Sequence, residues 1–560
     1  MSVIPEALPV VTTFSLSRGA QKLAKQKVVV KRLSAIEDLG GIEILCTDKT
    51  GTLTENRLKV ANMYAKDHKE TLFHANLSVT NLQKRHLEPF DIALWKKNSK
   101  EEKEKILKYH RIKEIPFNPR IRRNIVLTKV NKKFEIITRG APEEIFKLCS
   151  SLSGESKRHL CKWIKKEGEM GRRVLAIAKK EIEEKNIKDD FDLEKEINKF
   201  HFLGIISFVD PIKDSTNEAV KDADKLGVRI KIITGDSLEV AGAVAYQIGL
   251  IKSPKEVITG ENLEKLSKRD QEKAMDDYSV FARISPEQKY RIIQVLQNKY
   301  SVGFLGKGIN DAPALKIADV SLVVESASDI ARDASDIVLL KKNLKVIVEG
   351  IRDGREVFIN TTKYIRATLT SNFGNFFAVA IASLLIDFLP MLPLQILLLN
   401  LLSDFPMIAI STDTVEKKEL DHPKKYNVKD IVLLAIVLGV VSTIFDFIYF
   451  GLFYKISPGV LQTNWFIGSV LTELLLLFSI RSKGFFLKSS RPSNTMFILT
   501  ISAIVVTIIL PFTILGKMFS FVAPTGRYLL IIFGVAIAYF STTEIIKNTY
   551  NKTLNNKQLS

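Results

Sequence analysis

Cysteine is scarce in this chain. Cys46, Cys149 and Cys161 are the only three in 560 residues, too few for a disulfide framework and not spaced as a paired-thiol metal site. They fit a reducing cytosol. The seven histidines are scattered without zinc-type spacing, so no role is expected of them. No basic start, apolar core and small-residue cleavage site precedes the first motif, which speaks against a secretory leader. Long apolar runs are also missing up to about Thr368, and that part reads as soluble and charged. The formal charge of +20 would suggest a nucleic-acid partner if this held throughout. It does not: the remainder is dominated by long apolar stretches, and Lys and Arg collect on the cytoplasmic side of spanning helices. A lipid bilayer is the expected partner, and nucleic acid is not. At this length several domains are expected rather than one core.

A spanning helix needs about 20 mostly apolar residues. Six stretches approach this: Leu369–Leu389, Leu392–Ile410, Ile431–Phe453, Trp465–Ile480, Met496–Leu515 and Tyr528–Tyr539 with its flanks. The loop after the second carries Lys417, Lys418, Lys424, Lys425 and Lys429; the loop after the fourth carries Arg481, Lys483, Lys488 and Arg491. Phe388-Leu389-Pro390-Met391, between the first and second, carries no base. Both basic loops and the soluble region therefore face the cytoplasm, giving a multi-pass protein of the cell membrane.

Polar residues inside such spans are costly and usually face a pathway. Asn372 and Asn375 share one face of the first span, and Asn400, Ser403 and Asp404 cluster in the second. Oxygen donors of this kind suit a hard cation; amide bonding between helices is the competing reading. Asp387, Asp446 and Glu473 stand alone or near span edges and read as structural. At the N-terminus, Pro5-Glu6-Ala7-Leu8-Pro9 brackets a glutamate with prolines, which frees backbone carbonyls either for a ligand or simply to fray.

In the soluble part, β-rich runs (Ile42–Thr47, Phe202–Val209, Val228–Thr234, Ser279–Ala282, Ser301–Leu305, Val320–Val324) alternate with helical patterns at Ser215–Leu226, Leu238–Ile248 and Pro286–Gln297. Alternation of this kind predicts a doubly wound parallel sheet with ligands at the C-terminal strand ends. The block 60–199 reads as an insertion with its own strands. The first strand runs into Asp48-Lys49-Thr50-Gly51-Thr52-Leu53-Thr54. A carboxylate there can attack a phosphoryl group and form an acyl phosphate. Further strand ends supply Thr234-Gly235-Asp236, then Lys289, then Gly306-Lys307-Gly308-Ile309-Asn310-Asp311. This order of Asp, Thr, Lys and acidic loop resembles a phosphotransfer site of the haloacid-dehalogenase type.

With these motifs the chain resembles a P-type cation-transporting ATPase, from the second half of the fourth membrane helix onward. The resemblance implies an α/β protein with membrane helices: a helix half at 1–18 carrying the ion-binding turn with Glu6, a haloacid-dehalogenase-like phosphorylation domain at 19–59 and 200–365, an inserted α+β nucleotide-binding domain at 60–199, six transmembrane helices at 366–548 and a polar tail at 549–560. It implies Asp48 as the phosphorylated residue, with Lys49, Thr50, Thr234, Gly235, Asp236, Lys289, Asn310 and Asp311 around it. Mg²⁺ would accompany ATP, near Asp48, Thr50 and Asp311. Phe117, Arg122, Arg139, Gly140, Arg173, Asp210 and Arg283 match positions for the nucleotide, the hinge and the phosphate site. Glu6, Asn372, Asn375, Asn400, Ser403 and Asp404 match the family's cation ligands. Thr370-Ser371-Asn372-Phe373-Gly374-Asn375, Leu389-Pro390-Met391-Leu392 and 28–35 look most like the magnesium-transporting branch, with calcium pumps next. Heavy-metal pumps carry Cys-Pro-Cys where this chain has Pro5-Glu6-Ala7.

Two departures stand out. The actuator domain and first membrane helices of the family have no counterpart here, so a separate chain carrying them is an expected partner, or the chain is a piece or a silent remnant. Ser153-Gly154-Glu155-Ser156 looks like the actuator's motif but falls inside the inserted block. Second, the family's Gly-Asp-Gly is Gly306-Lys307-Gly308, which replaces an anionic Mg²⁺ ligand with a cation. A membrane-anchored phosphatase is a further alternative, opposed by Thr50, which stands where related phosphatases carry a general-acid Asp.

Overall fold

The structure, a computed structural model, describes residues 8–49, 51–55, 57–79, 88–109, 111–118, 121–130, 133–150, 152–183, 193, 196–341 and 343–559. In chain order the strands are β1 Val28–Val30, β2 Ile44–Thr47, β3 Lys59–Ala65, β4 Arg111–Asn118, β5 Arg123–Val130, β6 Lys133–Gly140, β7 Arg173–Ile182, β8 His201–Val209, β9 Arg229–Ile233, β10 Ile258–Thr259, β11 Val280–Ala282, β12 Val302–Gly306, β13 Val320–Val324 and β14 Ile337–Leu339.

They form two sheets. The larger has the order β1-β14-β13-β12-β2-β9-β11-β10, parallel except for the edge pair β1–β14. All four residues of β2 are buried, as expected of a central parallel strand covered by helices on both faces. Thr216–Lys225 and Leu238–Gln247 contribute to the core on one face, Pro286–Gln297 to that on the other. Crossovers of this kind place the C-terminal ends of the parallel strands on one edge.

The smaller sheet is wholly antiparallel, in the order β3-β8-β7-β6-β5-β4. This corrects the expectation for Phe202–Val209. It pairs with β3 and β7 rather than joining the parallel sheet, so the inserted unit runs from Lys59 to Val209, not to residue 199. Positions 203–208 are buried without a break. A central antiparallel strand covered on both faces shows the same continuous apolar run as a parallel one, and pattern alone does not separate them. The sheets are tied at the crossing by the isolated bridge Thr54↔Ile212.

Among the described residues, six helices are long and apolar enough to cross a membrane: Leu344–Leu385, Pro393–Thr412, Val428–Phe453, Pro458–Ile480, Asn494–Phe512 and Gly526–Thr553. The fourth is buried almost throughout and forms the centre of the bundle. The first differs from expectation. Its helix begins 25 residues before Leu369 and runs unbroken for 42 residues, about 60 Å at 1.5 Å per residue. Its charged first half escaped a hydropathy reading because the larger-sheet unit covers it. A Cβ on Gly354 would lie 2.2 Å from the Ile36 carbonyl oxygen, so helix Ala35–Gly41 and the long helix meet backbone to backbone. Arg355, fully buried, donates from Nε to the Gly40 carbonyl at 3.1 Å and from Nη1 to the Leu226 carbonyl at 2.6 Å, and also reaches the Leu420 carbonyl. One continuous helix thus joins the larger-sheet unit to the membrane bundle.

Candidate functional site

Asp48 follows directly on β2, at the C-terminal edge of the larger sheet. Its Oδ1 accepts the Lys49 backbone N–H at 2.7 Å, and its Oδ2 lies 3.4 Å from Lys289 Nζ. Lys289 comes from the first turn of Pro286–Gln297, a helix started by Ser285 in a capping box with Gln288. The same ammonium donates to Asp311 Oδ1 at 2.8 Å. The other Asp311 oxygen accepts the backbone N–H groups of Lys307 at 2.9 Å and Gly308 at 3.0 Å. Gly306 is needed for this turn, since a Cβ there would sit 2.9 Å from the Asp311 Cβ.

These partners set the protonation states. Burial lifts the Asp48 carboxyl above the usual carboxylate range, with Asp311 adding to the rise and Lys289 opposing it. Burial would also raise Asp311, but Lys289 and the two backbone N–H groups more than offset it and hold it low. For Lys289 burial acts downward, and Asp48 and Asp311 together lift the ammonium above the ordinary lysine range. The arrangement is a carboxyl that is costly to ionise next to a cation that stays charged.

A second ion-pair group lies beside it. Asp236 pairs with Lys49, which is 2 % exposed, and with Arg173 of the smaller sheet. Burial raises the Asp236 carboxyl, yet those two cations keep it below its ordinary value. Thr234, buried, accepts the Asp236 backbone N–H at 3.2 Å through Oγ1; Gly235 forms the turn between them. Arg283 adopts a left-handed backbone (φ 52°) and donates its N–H to the Asp236 carbonyl at 2.9 Å. Asn310 lies exposed in the single turn Ile309–Asp311.

Between the two sheets lies a cleft of about 370 Å³, lined by Arg122, Lys165, Arg172 and Arg173 on one side and by Ser237 and Glu239 on the other. Sequence reading anticipated Arg122 and Arg173 and missed Lys165 and Arg172. Arg122 holds a left-handed turn (φ 52°) and pairs with Glu143. Phe117 projects from the edge strand β4 and is 45 % exposed. Arg139 departs from expectation: it is buried inside the smaller unit and paired through Nη2 with Asp91, from the first turn of Pro89–Lys97. Gly140 permits a close approach, a Cβ there falling 2.4 Å from the Arg122 carbonyl oxygen. Asp210 sits at the crossing between sheets, accepting Thr54 Oγ1 at 2.6 Å and the Arg57 N–H at 3.1 Å. Ser153 is an ordinary helix cap, its Oγ accepting the Ser156 N–H at 3.2 Å.

Whether this edge would hold Mg²⁺ in advance is answered by its donors. Both Asp311 oxygens are engaged, each Asp48 oxygen has a partner, and Lys307 stands where the resemblance implies a carboxylate. Among the described residues no three His, Cys, Asp or Glu side chains form a metal-holding group. The side chains present do not fit a resident Mg²⁺ held by protein carboxylates. Thr50 and Glu6 lie outside the described residues.

In the bundle, Asn375 Nδ2 donates to Glu473 Oε1 at 2.7 Å. Ser371, Ser403 and the charge of Asp404 also face this carboxyl. Sequence reading set Glu473 aside as structural; the structure brings it, from the fourth span, against the expected residues of the first and second. Its signal was present, a lone carboxylate within 23 residues of apolar helix. Ser403 Oγ is 3.4 Å from the Asn400 carbonyl.

Comparison with known proteins matches this layout. Residues 79–215 match the family model described as P-type ATPase, cytoplasmic domain N, and 388–549 that described as Cation transporting ATPase, C-terminus. The chain is 34 % identical over 577 aligned positions to the magnesium-transporting ATPase, P-type 1, of Escherichia coli K12, covering 99 % of this chain and 63 % of that protein. Its counterpart in Salmonella typhimurium LT2 matches to the same extent. The calcium-transporting ATPase of Bacillus subtilis is 31 % identical, over 86 % of this chain and 61 % of its own length. The chain thus spans about 63 % of the magnesium-transporting relatives it matches. The aspartate at the strand end, the inserted antiparallel sheet, the six membrane-spanning helices of an integral, multi-pass protein with cytoplasmic domains, and these matches place the chain in the P-type cation-transporting ATPase family.

Proposed function

We propose that this chain carries the catalytic and ion-binding parts of an ATP-driven pump for a divalent cation, Mg²⁺ as its substrate, working through an aspartyl phosphate at Asp48. The observation that carries the reading is the continuous helix Leu344–Leu385, anchored to the larger-sheet unit by Gly354 and Arg355, at the sheet edge opposite to Asp48, and bearing Asn375 toward its far end against Glu473.

ATP would enter the cleft between the sheets, its base over Phe117 and its phosphates toward Arg122 and Arg173. A carboxylate oxygen of Asp48 attacks the γ-phosphorus, the bond to the β-phosphate oxygen breaks, and ADP leaves with that electron pair. Lys289 offsets the charge that builds on the transferred group, which in phosphoryl transfer is the main work asked of the protein. Arg173 bridges to Asp236, so a phosphate arriving there competes for the guanidinium and loosens the contact between sheets. Rearrangement of the larger-sheet unit would then be passed along the rigid helix to Asn372, Asn375, Asn400, Ser403, Asp404 and Glu473. Mg²⁺ as cargo is favoured by the higher identity to magnesium transporters than to the calcium transporter; oxygen donors alone suit either ion. A chain supplying the actuator domain is the proposed partner.

The test is cation-dependent ATP hydrolysis by the full chain, with and without a co-expressed actuator-bearing chain, comparing Mg²⁺ with Ca²⁺. Stimulation by Mg²⁺ only when both chains are present supports the reading. A second reading, impaired phosphorylation, is favoured by Lys307, which adds a cation where an anionic ligand is expected. Acid-stable ³²P labelling of the wild type and Lys307→Asp separates them: a rise in label on restoring the carboxylate favours impairment, and equal labelling removes it.

A further inference from the structure

At the cytoplasmic ends of the first, third and fourth spans lies a pocket of about 230 Å³, separate from the catalytic edge and from the Glu473 cluster. Six cations line it (Lys363, Arg366, Lys424, Lys425, Arg481 and Lys483) against two carboxylates, Glu419 and Asp430. The surrounding ion pairs satisfy only some of them. Arg366 bonds Asp430 at 3.1 Å, and Lys425 bonds Glu43 at 2.8 Å. Lys363 and Arg481 share one buried carboxylate, Asp413, at 3.0 and 3.1 Å, which leaves that trio one positive charge in excess.

Lys424 and Lys483 have no carboxylate within ion-pair distance among the described residues. Lys424 is half-buried, and burial together with the charge of Lys483 pulls its ammonium below the ordinary lysine range, Glu419 and Asp421 opposing only in part. Like charges gathered in a concave site without matching anions call for an anionic occupant. The walls are also partly apolar: Ile359, Ile431 and Ile480 line the same cavity. A free phosphate would gain nothing from them, whereas a lipid's glycerol and first methylenes would. Basic pockets between spanning helices on the cytoplasmic side are known to suit phospholipid headgroups.

We propose that this pocket binds the phosphodiester headgroup of an anionic phospholipid, with Lys424 and Lys483 supplying its counter-charges. The occupant would touch the long helix at Ile359, between Arg355 and Asn375, and the loop that Lys425 ties to the larger-sheet unit. Lipid composition would thereby bear on the element that links the two sites.

The experiment needs no ATP turnover, so its failure is distinct from failure of the proposed function. The full chain is placed in nanodiscs of equal phosphatidylglycerol and phosphatidylcholine, and the lipids retained after release are measured by native mass spectrometry. Wild type is expected to retain phosphatidylglycerol about thirtyfold over phosphatidylcholine, in line with the attraction of two lysines near an anionic lipid. Lys424→Ala with Lys483→Ala should bring retention to the bulk ratio, and the double Arg variant should keep the enrichment, which guards against a folding defect. Retention at the bulk ratio by wild type, or unchanged enrichment in the alanine variant, overturns the proposal. So does displacement of the lipid by millimolar inorganic phosphate, which would assign the pocket to free phosphate.

Discussion

The catalytic edge and the membrane cluster both bury carboxylates, but they complete them differently. At the sheet edge Asp311 is matched by the fixed cation Lys289 and by two backbone N–H groups. In the bundle Glu473 is met by the amide of Asn375, with Asp404 close by and no ion pair to Glu473 among the described residues. An uncompensated carboxylate away from water is expensive. The difference bears on the proposed function: the edge holds its own positive charge, which suits the proposed phosphoryl group, while the bundle is short of one, which suits the proposed cation.

Predictions bear on this contrast in order of size. Lys289→Met should be the most damaging to the fold, since it leaves Asp48 and Asp311 buried without their cation; about 3–5 kcal/mol of stability should be lost, read by denaturant unfolding of the full chain in detergent. A loss below 1 kcal/mol would mean the edge does not depend on that charge. Asn375→Ala removes a bond to a buried carboxylate, and the concentration of cation needed for half-maximal ATP hydrolysis should rise about 10–100-fold. An unchanged cation response would take Glu473 out of the pathway. Phe117→Ala should weaken ATP binding by about tenfold, on the scale of one lost base stack, measured by nucleotide titration. Arg122→Ala, breaking an exposed pair with Glu143, should change stability by less than about 1 kcal/mol.

Acidification sharpens the contrast further. Asp48 titrates above the ordinary carboxylate range and Asp311 below it. Asp48 therefore protonates first as pH falls. The stability that ionised Asp311 contributes is present above the ordinary carboxylate value and is lost only as pH falls through its lower folded value. Labelling by ATP should decline at a higher pH than the melting temperature does; parallel decline would contradict the assignment of the two carboxyls.

How far this was legible in the sequence follows from how contiguous each feature is. Asp48 through Thr54 is one contiguous string after a β-rich run, and the helical stretch Pro286–Gln297 that carries Lys289 was readable by its pattern. The pairing of Asn375 with Glu473 spans 98 positions and joins the first membrane-spanning helix to the fourth, and no local pattern links them. The strand at His201–Val209 was assigned to the wrong sheet because burial on both faces erases alternation. Arg139 read as a ligand-facing base because nothing near it in sequence points to Asp91, 48 residues earlier. The soluble half of the long helix was invisible to hydropathy because its apolar partner is another domain, not lipid.

The account turns on Asp48 as the phosphate acceptor, and acid-stable labelling from γ-³²P ATP tests it most directly. The background is Lys307→Asp, so that the unusual lysine does not mask the result. Label should appear in that chain and vanish when Asp48→Asn is added; label that persists without the Asp48 carboxylate would contradict the account.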